Sequence, residues 1–221
     1  AKAVAAQGRP CSPISPPRRP CCWCFWWSAC RAVTLTSSLV LTFGGTSRAH
    51  YTDTNGVDVT VALRGTGHGE VRLEDGQSPE IRVYNSTERS SLSIRTQSKT
   101  NETTVGDITV DGSLRTLDGR STDLSGDLTI TGSLARLALD DTTGQGVISI
   151  GTSANPRAGT SMKFDRVMET RIDSATAIRS LSVTEWLDDD STTDNLTAPS
   201  LGRLSSRGDF GADLHLSDAG I

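Results

Sequence analysis

The sequence predicts an all-β protein, a right-handed parallel β-helix with ~20-residue coils and a short N-terminal β-hairpin lead-in. Three observations carry this. A twelve-residue pattern recurs at a fixed offset. Short apolar-x-apolar pairs follow one another between turn residues. Aromatics make up only 5% of the 221 residues while there are 21 glycines, a composition that suits short strands and turns better than helices.

The repeat lies in Gly106–Leu137. Gly106-Asp107-Ile108-Thr109-Val110-Asp111-Gly112-Ser113-Leu114-Arg115-Thr116-Leu117 is echoed by Gly126-Asp127-Leu128-Thr129-Ile130-Thr131-Gly132-Ser133-Leu134-Ala135-Arg136-Leu137. In such a copy Ile108 and Val110 point the same way, because side chains alternate along a strand. Gly112 and Ser113 bend the chain, and Leu114 and Leu117 face the core from a second wall. A second copy laid on the first at about 4.8 Å puts Leu128 over Ile108, Ile130 over Val110, Leu134 over Leu114 and Leu137 over Leu117. An antiparallel sandwich also has short strands at close spacing, but gives successive strands no reason to repeat sequence.

Along the chain, Val57–Leu63 alternates strictly and Val71–Leu73 resumes after Gly65, Gly67 and Gly69, so residues 49–75 read as the hairpin lead-in or cap. The solenoid is assigned to 76–221. Its strands are Ile81/Val83, Leu92/Ile94, Ile108/Val110, Leu128/Ile130 and Ile148/Ile150. Its second element is Leu114/Leu117, Leu134/Leu137, Phe164/Val167, Ile178/Leu181 and Leu201/Leu204. The spacing loosens after Gly151, and Asn155–Gly159 reads as an inserted loop. With no cap visible before Ile221, the array reads as a piece of a longer one.

Residues 1–48 differ in texture. Five prolines, three tryptophans and all five cysteines fall there, the cysteines between Cys11 and Cys30. An odd, crowded set is no complete disulfide framework. The head is read as disordered or foreign to the fold, as a secretion signal (Arg18, Arg19, the apolar Val33–Phe43, and Ser47-Arg48-Ala49 for cleavage), or as a lipoprotein signal ending at Ser28-Ala29-Cys30. No apolar run is long enough for a membrane helix.

The net charge of −4 conceals a split. Residues 1–52 carry six basic and no acidic side chains, whereas residues 53–221 carry 16 basic and 26 acidic ones. An acidic body argues against a nucleic-acid partner.

Val105–Leu114, Leu124–Leu134, Ile178–Asp188 and Ala198–Leu204 resemble the β-helical repeat region of very large bacterial surface or secreted proteins. The resemblance runs from about Tyr51 to the end. It implies a secreted or cell-surface location and adhesion-type partners such as cell-surface components or polysaccharide. It brings no catalytic residues.

Candidate chemistry is sparse. Asp53, Asn55 and Asp58 set three hard oxygen ligands around Gly56, which makes calcium the one cofactor to consider. They lack the spacing and closing Glu of an EF-hand, and turn formation explains them equally well. Gly67-His68-Gly69 is similar to the Gly-His-Gly of polygalacturonases, but the accompanying motifs are missing or out of order, so it reads as a turn with an exposed His. Asp140-Asp141 and Asp188-Asp189-Asp190 are carboxylate groups of the kind glycoside hydrolysis uses, although adjacent aspartates at a turn are expected to point apart into water. Trp186 reads as a packing residue rather than a sugar platform.

The sequence thus points to a non-catalytic structural or adhesive rod, with a carbohydrate-active β-helix enzyme as the alternative. A groove gathering three or more charged residues from adjacent coils would weigh toward the enzyme.

Overall fold

The computed structural model describes residues 38–97, 101–188 and 192–217, and it is a β-solenoid of about six coils with no helix among them. The cysteine run, the lipoprotein reading, most of the signal reading, and Asp189 and Asp190 lie outside these residues.

Six strands begin the fold: β1 (Leu39–Phe43), β2 (Arg48–Thr52), β3 (Asp58–Arg64), β4 (His68–Leu73), β5 (Glu80–Ser86) and β6 (Ser91–Thr96). They pair antiparallel in two walls, β1–β4–β5 and β2–β3–β6. Hairpins are therefore present, as β2–β3 and β4–β5. The Val57–Leu63 and Val71–Leu73 runs do not pair with each other, because the glycine-rich turn between them carries the chain from one wall to the other. β1 uses Leu39–Phe43, which the sequence had placed in the head. It is held by β4 and by the Phe43 ring over Gly69, where any Cβ would collide with that ring. Cleavage after Ala49 would remove β1 and cut β2.

Parallel coils then stack on β5 and β6. The first is completed by β7 (Thr103–Val105). The second holds β8 (Ile108–Gly112), β9 (Leu114–Gly119) and β10 (Thr122–Leu124), and the third β11 (Leu128–Ile130), β12 (Leu134–Leu139) and β13 (Thr142–Thr143). The fourth has β14 (Val147–Ile150), β15 (Thr160–Lys163) and β16 (Arg166–Met168), and the fifth β17 (Arg171–Ser174), β18 (Ile178–Val183) and β19 (Glu185–Leu187). The sixth contains β20 (Asn195–Ala198) and β21 (Leu204–Ser206), and β22 (Asp213–Leu216) lies on β20. Every coil contributes to a nine-stranded wall and an eight-stranded wall. The first five also contribute to a five-stranded wall.

Within the two repeat copies the register is the one the repeat implies, but two wall assignments are corrected. Leu92 and Ile94 lie on the eight-stranded wall, Leu92 beside Leu117. Val167 lies on the five-stranded wall beside Trp186, because the fourth coil's longer connection makes Thr160–Lys163 the strand that meets Leu137. Ile108 and Val110 pair with Leu128 and Ile130, which pair with Ile148 and Ile150. Leu114 and Leu117 pair with Leu134 and Leu137. All ten are buried, so each row runs along the axis as a continuous apolar stack. Burying each such side chain is worth about 1.5–3 kcal/mol. The backbone closes the stack: the Thr131 N–H donates to the Val110 carbonyl at 3.0 Å and the Gly151 N–H to that of Ile130 at 2.8 Å.

The third wall follows no two-apolar pattern. One inward row is Val105, Leu124, Thr142, Val167, Trp186 and Phe210, in which residue size varies from coil to coil. Trp186 is fully buried, donates its indole N–H to Asp194 at 2.7 Å and meets Phe210 edge-on. Corners are closed by hydroxyls and tight turns. Thr160 Oγ1 donates to the Leu134 carbonyl at 2.6 Å and Thr176 Oγ1 to that of Gly151 at 2.8 Å. Gly112 turns with φ at 122°, where a Cβ would overlap the Ser86 carbonyl.

Candidate functional site

The motif aspartates have a structural task. Asp107 Oδ1 accepts the Asp127 N–H at 2.9 Å, and Asp127 Oδ1 accepts the Val147 N–H at 2.8 Å, so the same corner of successive coils is tied by a carboxylate ladder. A second ladder runs at the corner between the eight- and five-stranded walls. There Asp123 Oδ1 accepts the Asp141 N–H at 3.3 Å and Asp141 Oδ1 the Arg166 N–H at 2.9 Å. Asp165 continues the series, accepting the Thr184 hydroxyl at 2.6 Å.

This second corner is where carboxylates gather. Glu102, Asp123 and Asp140 bring ligand oxygens within 4.8 Å of one another, and so do Asp140, Asp141 and Asp165. The expectation that Asp140 and Asp141 point apart is corrected: stacking brings acids from four coils to one edge. Burial, and then the charges of Glu102, Asp123, Asp141 and Asp165, push the Asp140 carboxyl up to about 6. Burial likewise raises Asp123.

The other sequence candidates sit apart. Asp53 closes its own turn: Oδ1 accepts the N–H groups of Asn55 and Val57 at 2.9 and 2.8 Å, and Oδ2 accepts the Thr103 hydroxyl at 2.8 Å. Asp58 accepts the Thr52 hydroxyl. His68 is exposed, but it starts β4 and stacks beside Tyr84, so it belongs to a strand rather than a flexible turn. Asp188 accepts the Asp194 N–H at 3.4 Å.

The walls differ in charge. On the nine-stranded wall Arg72 pairs with Glu70 and Arg82 with Glu80, and the Tyr84 hydroxyl donates to Glu70. The outer face of the eight-stranded wall is instead basic and hydroxyl-rich. It holds a shallow groove of about 250 Å³ lined in part by Arg48, Arg64, Arg95, Ser91 and Ser93, with Asp118 as the one acid among its lining residues. Sequence reasoning missed this face, because a charge total averages over surfaces that only the fold separates.

Comparisons with protein-family models, with curated proteins and with solved structures returned no match. Among the described residues no helix is long and apolar enough to cross a membrane.

Proposed function

We propose that this chain is a rigid adhesive rod, a structural segment of an extracellular bacterial protein that displays long uniform faces and performs no catalysis. The observation that supports it most is the use made of the surface acids. Asp107, Asp127, Asp123 and Asp141 each hold a backbone N–H of the next coil, so they serve as rungs of the stack. Solenoids of this kind gain stability from nearest-neighbour contacts and offer extended binding surfaces.

One observation favours the carbohydrate-active alternative. Acids from four coils converge around Asp140, and a carboxyl raised to about 6 has the protonation a general acid needs. Incubating the purified chain with polygalacturonate and alginate in the presence of calcium separates the two readings. The rod gives no new reducing ends and no unsaturated uronates. Turnover abolished by Asp140→Asn would establish the enzyme instead.

A further inference from the structure

We infer that the outer face of the eight-stranded wall binds a linear carboxylated polysaccharide lying along the rod axis. This rests on the adhesive-rod reading and names its ligand class. The feature that carries it is a row running across six adjacent strands: Arg64, Ser91, Thr116, Arg136, Ser161 and Ser180 are successive register partners. The row contains cations and hydroxyls only, although acids outnumber bases in residues 53–221.

Arg64 and Arg136 are exposed, the serines and Thr116 half-buried. Across the same wall lie Arg48, Arg95 and Lys163. Arg95 approaches Asp118 at 3.7 Å, and Asp118 is also met by Arg120 at 3.1 Å. Arg48, Arg64, Arg136 and Lys163 form no ion pair among the described residues. The acids on or beside the face are Asp58, at the start of β3, which accepts the Thr52 hydroxyl at 2.8 Å, Asp118, approached by those two arginines, and Glu88, whose carboxylate accepts the hydroxyls of Ser133 and Ser153 at 3.1 and 3.3 Å.

The chemistry selects the ligand. Strands repeat about every 4.8 Å along the axis, close to the length of one sugar in a chain. A polymer on this row therefore meets a new polar side chain at nearly every sugar. Arginines match carboxylates in two-point contacts, and the hydroxyls between them match sugar hydroxyls. Two arginines three strands apart suit one carboxylate per sugar better than a densely sulfated chain. The row offers no aromatic platform, which a single-stranded nucleic acid would use for base stacking.

The test is calorimetric titration of the full chain with polygalacturonate, with its fully methyl-esterified form, and with single-stranded DNA of matched charge. The expected result is binding to polygalacturonate that weakens several-fold on raising salt, falls at least tenfold in the Arg64→Gln/Arg136→Gln double variant, and is kept by Arg171→Gln on the nine-stranded wall. The methyl ester and the DNA bind at least tenfold more weakly. No binding, binding that the double variant keeps, or equal binding to DNA overturns the proposal. The rod reading fails separately, on turnover: cleavage of the polymer would overturn the rod and with it the role of this face as an adhesive surface, whereas loss of binding leaves the rod intact. Circular dichroism of the variants confirms that they fold.

Discussion

The Asp107 carboxylate accepts the backbone N–H of Asp127 one coil further along, at 2.9 Å, and Asp127 does the same for Val147 at 2.8 Å. A Gly-Asp repeat that looks like turn chemistry is therefore a fastening between coils. Asp127→Ala is expected to destabilise the chain by on the order of 1 kcal/mol, since the Val147 N–H loses a charged acceptor at a solvent-facing corner. Asp127→Asn keeps an acceptor oxygen and costs less. Urea unfolding of the two variants checks the order.

The buried rows and the exposed rows respond differently. Ile130 lies inside between Val110 and Ile150, while its neighbour Thr129 faces solvent. Ile130→Ala is expected to cost about 2–5 kcal/mol through lost burial and the cavity left behind. Thr129→Ala should stay within about 0.5 kcal/mol of the parent. Similar losses at the two positions would contradict the alternation of faces.

The acidic corner gives a pH dependence of definite sign. Asp140 has its carboxyl raised by burial and neighbouring acids from 3.8 to about 6 in the folded chain. Between those values the folded state holds a proton that the unfolded chain has released, so stability falls as pH rises from about 4 to about 6 and is flat above. Asp140→Asn is expected to melt higher than the parent at pH 8 and together with it below pH 4. Thermal melts across that range measure both arms. A variant that melts lower than the parent at pH 8 would contradict the assignment.

Calcium at Asp53, Asn55 and Asp58 is constrained by what Asp53 already holds, two backbone N–H groups and the Thr103 hydroxyl. The expected outcome is a melting temperature unchanged by a chelator and lowered by Asp53→Ala. A rise with added calcium that the variant abolishes would place the ion at this turn.

How much of this was legible in the chain depends on how many residues each wall uses. In the two repeat copies the walls built from Ile108/Val110 and Leu114/Leu117 carry two inward apolar residues per coil, and the repeat aligns them. Later coils substitute Thr160 and Ser174 at one of the two inward positions, which is where the pattern loosens. The third wall uses strands of two or three residues whose inward members include Thr103, Thr122 and Thr142, so no hydrophobic period marks it. The antiparallel start was half visible: Val57–Leu63 alternates clearly, but β1 looks like part of an apolar head. Functional surfaces were least legible. Arg64 and Arg136 share a row only because two intervening strands stack between them, and Asp140 reaches Asp165 only because a coil returns to the same corner.

The stack itself is tested most directly by methyl–methyl nuclear Overhauser contacts in a sample labelled at Ile, Leu and Val. In-register parallel coils predict an unbroken chain of contacts from Val83 to Val110 to Ile130 to Ile150, paralleled by one from Ile81 to Ile108 to Leu128 to Ile148. Crossed contacts in their place, with Val110 against Leu128 and Ile108 against Ile130, would mean strands running in opposite directions and would contradict the solenoid.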